Sequence, residues 1–332
     1  YTAVSLALSV PEIIFSQNLT SATAASISLR TTNLNGAGLS TQGTVRLERL
    51  APPERVLRSR FLPKPDRFTL SESEFVSAFP QDIRHNENQR ETWKSEREIL
   101  TQNFTSNAEG AANLDNAAFS AALRTLVPGE YRMTAEVKDV SGHIIKQIRH
   151  FVVIDVQSPK TASRKPFTAF ALKSSYEPGE TAQILVSTPY TDVKILSRLE
   201  HRGSIIKEEW LTVSNGQTLV SVPITENFRG NVTLHLTAIR HYRLYSGTQT
   251  IIVPWTNKQL RVETSVFRDK MLPASKEEWR LKVSGMKGEK VAAELLAAMY
   301  DASLDAILPQ AWYGFSWQTF YAKLGMQSMS FG

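Results

Sequence analysis

The chain has 332 residues, no cysteine and a net charge of +6, from 38 basic and 32 acidic residues. Its length predicts two or three domains, and 42% hydrophobic with 21% charged residues excludes global disorder. The lack of cysteine excludes disulfides, thiol catalysis, cysteine-ligated zinc and iron–sulfur clusters. The positive charge is spread along the chain, so we expect no nucleic-acid partner. In the most basic stretch, Arg55–Arg67, a solvated loop is favoured over a phosphate-binding strip.

The ends of the chain carry no targeting signal. No run of 18 apolar residues and no signal peptide is present. The first residue is Tyr1 and not Met. We therefore expect this chain to be a segment of a longer protein.

Residues 1–156 predict a first β-sandwich with an insertion at about 51–97. Short alternating runs within 1–50 indicate three or four strands separated by turn residues. Within the insertion, Ser71 and Glu74 form a capping-box pattern, which predicts a helix that starts at Ser71 and stops at Pro80. The rest of the insertion is charged and is expected to be exposed. A surface loop without a partner is the more common case for such a segment, and a partner-binding loop is the less common one.

The remainder of the first domain is expected to be strands. These are Glu98–Phe104, Phe119–Leu123, a strand launched by the turn Val127–Tyr131, and a return strand Ile144–Ile154. In the launched strand, Tyr131, Met133, Ala135 and Val137 should share one face. Residues 157–166 are polar, bounded by proline and without periodicity, so they are the best linker candidate.

Residues 167–255 predict a second sandwich of about seven strands. Pro178 and Gly179 predict a tight turn, after which Ala182, Ile184 and Val186 alternate with polar residues, and Leu185 is the one exception. Asn215 and Gly216 predict a hairpin. Because Glu177 and Glu180 belong to the turn, we do not expect them to be a catalytic pair.

Residues 260–332 predict a third sandwich, partial or complete. Pro273 lies 95 residues after Pro178, about one sandwich domain, and Trp279, Leu281 and Val283 alternate with basic residues after it. The stretch 291–307 is rich in Ala, Leu, Met and Glu, and propensity alone predicts a helix there.

The repeated pattern of a turn followed by a strand, together with the segment Ala298–Leu304, resembles the bacterial alpha-2-macroglobulin family, in the region that leads into its bait-region domain. In that family a strand ending in an Ala-Val-Asp-x-Ser-like motif precedes the bait, and here Asp301 and Ser303 match it, whereas Tyr300 departs from it. The resemblance covers most of residues 100–307. It implies an all-β chain of tandem macroglobulin-like (fibronectin- or immunoglobulin-like) antiparallel sandwiches, with residues 291–300 as a strand.

The resemblance also implies a function. Family members trap proteases after cleavage of a bait loop, and many carry a thioester cysteine, which this chain lacks. We therefore expect a non-enzymatic scaffold segment in the bacterial cell envelope, in the periplasm or at the outer-membrane surface. The bait should lie at or beyond the end of the chain. Expected partners are proteases, through the longer protein, and other domains of the same chain.

No motif predicts catalysis, a cofactor or a small-molecule substrate. If residues 301–305 form a strand, Asp301, Ser303 and Asp305 share a face, yet the glycine of a calcium loop is missing and structural hydrogen bonding is favoured. The six histidines show no metal-ligand spacing. Pro178, Gly179, Asp301 and Ser303 are therefore expected to be structural family-motif residues, with no catalytic, cofactor or metal role.

The aromatic residues near the C-terminus allow an alternative function. Trp312, Tyr313, Trp317 and Tyr321 are clustered, and β-sandwiches that bind glycans use exposed aromatic platforms. A buried aromatic cluster is the favoured interpretation. The alternative is an adhesion or glycan-binding module of a surface protein.

Overall fold

Strands of the first sandwich form where the sequence alternates between apolar and polar residues. The computed structural model describes residues 4–16, 27–60, 62–112, 114, 117–139, 141–214, 216–266, 275–276, 278–286, 288, 290–291, 293–295, 302–306, 321 and 323–324. The strands of the first sandwich are β1 Val4–Ser9, β2 Ile13–Phe15, β3 Ser28–Asn33, β4 Gln42–Leu50, β5 Ser95–Thr105, β6 Ala111–Ala112, β7 Gly129–Lys138 and β8 Ile144–Ile154. They form two sheets in the orders β1-β3-β6 and β2-β8-β7-β4-β5, and only the β2–β8 pairing among them is parallel.

The core of the first sandwich confirms the predicted faces of its central strand. Tyr131, Met133, Ala135 and Val137 of β7 are at most 2% exposed and belong to one apolar cluster. The Tyr131 hydroxyl donates to the Val127 carbonyl over 2.7 Å, which ties the strand to the turn that launches it. The predicted hairpin to β8 is also present.

The helix predicted in the insertion is present. Helix α1 spans Glu72–Ala78, and Ser71 and Glu74 form a reciprocal capping box, with the Ser71 amide donating to Glu74 Oε2 over 2.8 Å. No residue of α1 is buried, so the cap stabilises it more than packing does. Neither helix of the described chain is long and apolar enough to cross a membrane.

One predicted strand of the first sandwich was wrong. Residues 119–123 lie in helix α2, Ala117–Arg124, where we expected a strand. Phe119 and Leu123 are four residues apart, so on a helix they share a face, and both are almost completely buried. Alanine makes up half of this segment, and its helix propensity was overlooked.

The insertion is not a free loop. Arg58 Nη1 donates to the His241 carbonyl over 2.7 Å, and Val56 packs against the core of the second sandwich. Strand β5 also begins at Ser95, earlier than the expected Glu98. The insertion thus lies against the neighbouring domain.

Seven described strands make the second sandwich, which confirms the predicted number. They are β9 Thr168–Ala171, β10 Thr181–Ser187, β11 Val193–His201, β12 Ser204–Val213, β13 Gln217–Pro223, β14 Gly230–Arg240 and β15 Arg243–Val253. The two sheets have the orders β13-β10-β9 and β12-β11-β14-β15, all antiparallel. Ala182, Ile184 and Val186 point into the core between them.

The hairpin predicted at Asn215–Gly216 was wrong. Strands β12 and β13 belong to different sheets, so this connection crosses from one sheet to the other. Gly216 has φ of +103°, and a Cβ there would lie 2.9 Å from the Thr161 amide nitrogen, which requires glycine; Asn215 lies outside the described residues. The hairpins occur instead at two other turns. One is Arg202–Gly203, just after Glu200, and the other is His241–Tyr242.

The two sandwiches meet through a small apolar cluster. Val152 and Ile154 of β8 pack with Leu185 of β10, and all three are at most 3% exposed. The expected linker, residues 157–166, contains no strand or helix, yet the Gln217 amide donates to the Pro159 carbonyl over 3.1 Å and Thr188 Oγ1 donates to the Pro166 carbonyl over 2.7 Å. The linker is therefore bound to the second sandwich.

Beyond residue 255 the described chain contains one strand pair. Strand β16, Leu260–Val266, pairs antiparallel with β17, Arg280–Gly285, which confirms the strand expected after Trp279. The strand expected over 291–300 is not observed, since residues 291 and 293–295 are in neither strand nor helix and the rest lie outside the described chain. Residues Ala302–Ala306 form a 3-10 helix. The boundaries of a third domain stay a prediction.

Candidate functional site

The turn that opens the second sandwich holds Pro178 and Gly179 in a structural position. Gly179 has φ of +94°, and its amide donates to the Ile224 carbonyl over 2.9 Å. Glu180 Oε2 accepts from the Glu177 amide over 2.7 Å. This bond and an ion pair with Lys173 lower the pKa of Glu180 below its usual value. The carboxylate therefore closes the turn.

Arg229 connects this turn to the exit from the second sandwich. Its guanidinium is 5% exposed, lies 2.9 Å from both Glu177 and Glu226, and donates to Thr256 Oγ1 and the Pro254 carbonyl. The hydrogen bonds that Arg229 donates to Glu226 raise the pKa of Arg229 despite its burial. Sequence reasoning missed this residue, because nothing local marks an arginine as buried.

Of the other two family-motif residues, only Ser303 is described, and it does not lie in this turn. Asp301 lies outside the described residues. Ser303 is exposed in the 3-10 helix 302–306, so the strand face that would have aligned it with Asp305 is absent. The expected sharing of one face was wrong because that alignment needs the two-residue period of a strand.

A buried polar cluster occupies the outer face of the sheet that contains β11 and β14. Glu200 and His235 are 2% and 3% exposed, and His235 Nε2 donates to Glu200 Oε2 over 2.7 Å. The Gly203 amide donates to the other carboxylate oxygen over 3.1 Å. Asn231, on the same face, is 3% exposed. Polar side chains on an outer sheet face are normally in water, so this burial requires a covering segment.

The described residues of that covering segment are Tyr321 and Leu324. The Leu324 amide donates to Glu200 Oε2 over 3.0 Å, and the Tyr321 amide donates to Asn231 Oδ1. The Tyr321 ring packs edge-on against His201 with centroids 5.8 Å apart, and the Arg202 guanidinium carbon lies 4.6 Å from the Tyr321 ring centroid. The cluster of Glu200, His201, Asn231 and His235 therefore anchors a segment that is about 90 residues away in sequence from Asn231.

The electrostatics of the cluster favour an ionised glutamate. Burial by itself would raise the pKa of Glu200, but the bonds from His235 and from the amides of Leu324 and Gly203 together lower it. All of these donors stabilise the charged form. The arrangement holds the chain in place, since it presents no nucleophile with an adjacent base.

Metal and aromatic sites were also considered in the sequence. Among the residues that the structure describes, no group of three His, Asp or Glu could hold a metal ion. Of the aromatic cluster proposed for glycan binding, Trp312, Tyr313 and Trp317 lie outside the described residues. Tyr321 is partly buried against the second sandwich. The glycan-binding alternative stays a prediction.

Comparison with known families identifies the region that contains these contacts. Residues 170–307 match the alpha-2-macroglobulin bait region domain. The resemblance to the alpha-2-macroglobulin family inferred from the sequence is thus confirmed over this region. The match begins within β9 and includes the turn at Pro178, the Arg229 contacts, Glu200 and His235.

Solved structures show only loose likeness. A tetra-tandem repeat of a large adhesion protein is 14% identical with a TM-score of 0.24, over 80% of this chain and 53% of that one. Alpha-2-macroglobulin from Escherichia coli, trypsin-activated, is 12% identical with a TM-score of 0.24, over 80% of this chain and 18% of that one. The native form of the E. coli protein is 11% identical with a TM-score of 0.24, over 86% of this chain and 19% of that one. The chain thus spans about half of the adhesion-protein chain and less than a fifth of the E. coli chains.

Proposed function

We propose that this chain is a non-enzymatic scaffold segment of a protease-trapping protein of the bacterial cell envelope. The observation that carries the proposal is the match of residues 170–307 to the bait region domain. In this proposal the second sandwich is the platform from which the bait segment emerges. In this proposal the bait follows Ala306, close to the end of the matched range, which is earlier than the position at or beyond the end of the chain that the resemblance implied.

The contacts around Arg229 and Glu200 support a platform of this kind. In a protease trap, one cut in the bait must cause the chain to move around the attacking protease. Arg229 donates hydrogen bonds to Pro254 and Thr256 in the segment that follows β15. Glu200 accepts a hydrogen bond from the Leu324 amide. A cut between residues 307 and 321 would separate two segments that are each held on the same sandwich.

A scaffold role is also favoured over catalysis by the partners of four ionisable groups. Glu177, Glu180, Glu200 and Arg229 all have structural partners. Their hydrogen bonds connect turns, strand ends and the covering segment. No step of a reaction is assigned to any of them.

The test is limited proteolysis of the full-length protein that carries this chain. It should be treated with trypsin, chymotrypsin and elastase, with cut sites mapped by mass spectrometry and compactness measured by small-angle X-ray scattering. We expect the first cuts of all three proteases to fall after Ala306, followed by a change in radius of gyration and retention of the protease. Each protease with its active site blocked is the control. Cleavage elsewhere first, or cleavage without a change in shape, would contradict the proposal.

A further inference from the structure

A basic cleft of about 490 Å³ lies between the insertion and the second sandwich. Its walls come from the insertion at 53–60 and 88–93, from the linker at 164–167 and from the start of β15 at 243–245. Among the described residues, the lining includes no Asp or Glu. It includes seven cations, namely Arg55, Arg58, Arg60, Arg90, Arg164, Lys165 and Arg243.

Three of these cations have carboxylate partners outside the cleft lining. Arg58 forms a two-point ion pair with Asp82. Arg90 Nη2 lies 2.8 Å from Glu130 Oε2, and Lys165 Nζ lies 3.7 Å from Glu12 Oε1. These acids neutralise at most three of the seven positive charges.

Arg55, Arg60 and Arg164 have no carboxylate partner among the residues that the structure describes. Arg55 Nη1 donates to the Pro80 carbonyl over 3.2 Å, and Arg60 donates to the carbonyls of Ile83 and Arg84. Carbonyl acceptors position a guanidinium but carry no net charge. Arg164 is exposed and makes no ion pair within the described part of the chain. Like charges gathered in one cleft repel each other, so an anion there would be stabilising.

Aromatic side chains share the cleft with these cations. Trp93, Phe167 and Tyr245 line it, and the Trp93 indole nitrogen donates to the Glu87 carbonyl over 2.8 Å, which fixes the ring. Pockets that bind small molecules combine apolar and aromatic walls with a few polar groups that set orientation. The occupant should therefore carry a ring or an apolar body besides its charge.

We propose that this cleft binds a phosphate monoester. The planar guanidinium fork matches phosphate oxygens in two-point contacts, and a dianion balances more of the excess charge than a single carboxylate. The sequence favoured a solvated loop over a phosphate-binding strip at Arg55–Arg67. The structure gathers Arg55, Arg58 and Arg60 of that stretch with Arg164 into one concave site.

The experiment is isothermal titration calorimetry of the full chain with glucose 6-phosphate, with glucose as the uncharged control. We expect saturable binding of glucose 6-phosphate that weakens with added salt, and no binding of glucose. A second arm measures cosedimentation with vesicles that contain phosphatidic acid, a lipid phosphate monoester, against phosphatidylcholine vesicles. Binding in the first arm indicates a free phosphate ester, and binding in the second arm alone indicates a lipid headgroup. Either result supports the site.

Substitution at Arg164 locates the binding. R164E should lower the affinity about tenfold or more, because it replaces an attractive charge with a repulsive one. R60Q is the second variant, in case R164E alters the linker, and it should weaken binding in the same direction. R30E reverses an exposed charge on β3, away from the cleft, and should leave the affinity unchanged. Absence of saturable binding in both arms, or an equal loss in R30E, would overturn the proposal.

Discussion

The second sandwich buries part of the outer face of each of its sheets, and the two buried parts have opposite chemistry. On one side Leu185 packs against Val152 and Ile154 of the first sandwich in an apolar contact. On the other side Glu200 and His235 lie under the segment that contains Leu324. One face is covered by a domain, and the other by a segment of chain.

The two faces differ in how strictly their contacts depend on geometry and in whether those contacts respond to charge. Apolar burial is non-directional, depends on area and is insensitive to charge. A buried carboxylate must instead keep each of its hydrogen bonds, or the cost of its burial is not offset. The Leu185 face is therefore suited to a permanent junction, and the Glu200 face to a contact that can be released.

The largest expected effect is on the apolar face. L185A should lower the free energy of unfolding by about 3 kcal/mol, because it removes a fully buried side chain and leaves a cavity between the sandwiches. The measurement is urea denaturation followed by circular dichroism. L34A is the matched control, since Leu34 is 75% exposed in a turn, and it should change the midpoint little. Equal effects of the two variants would show that this junction adds no stability.

A smaller effect is expected on the polar face. E200Q keeps the shape of the side chain but removes the charge that His235 and the Leu324 amide share, which should cost about 2 kcal/mol. Hydrogen exchange measured by mass spectrometry should accelerate at residues 321–324. E208Q is the control, because Glu208 pairs with Arg198 at an exposed site on β12 and contributes about 0.5 kcal/mol or less. Unchanged exchange at Leu324 in E200Q would contradict the anchoring role.

The same face should respond to pH. The pKa of Glu200 is lowered in the folded chain, so its stabilisation is present above the ordinary glutamate pKa of about 4.3 and is lost as pH falls through the lower folded value. Protection factors at residues 321–324, corrected for the intrinsic pH dependence of amide exchange, should therefore fall under acid in the native chain and change less with pH in E200Q. The apolar face should show no such dependence.

The smallest effect is expected where neither kind of burial operates. Helix α1 has no buried residue, and its capping box at Ser71 is its main stabilising feature. S71A should destabilise this helix by about 1 kcal/mol, visible as faster hydrogen exchange at residues 72–78. S73A, inside the same helix, is the control. A change in the global unfolding midpoint would show that the insertion contributes to the junction after all.

Local patterns in the sequence were sufficient for much of the fold. The alternation around Met133 and Ile184 predicted both strands and their buried faces, because a strand repeats every two residues. The capping box at Ser71 predicted the start of α1, because its hydrogen bonds join residues three apart. The hairpin predicted between β7 and β8 also needed only local information.

Predictions that depended on partners distant in sequence were wrong or missing. Asn215–Gly216 favours a hairpin locally, but the strands on either side pair with β11 and β10 instead of each other. The strand expected at 291–300 was inferred from the family and is not observed in its described residues. Arg229 and Glu200 were not recognised, since their burial depends on residues between 25 and 124 positions away.

The sequence alone determined the all-β class, most strands, the capped helix and the resemblance to a family, because each depends on short-range periodicity or on motifs of a few residues. Only the tertiary structure explains why Leu185 interrupts the apolar–polar alternation of its strand. Alternation assumes that one face of the sheet meets water, and Leu185 instead meets Val152 and Ile154 of the first sandwich. The basic cleft also depends on tertiary structure, because its cations come from four separate segments that only the packed domains bring together.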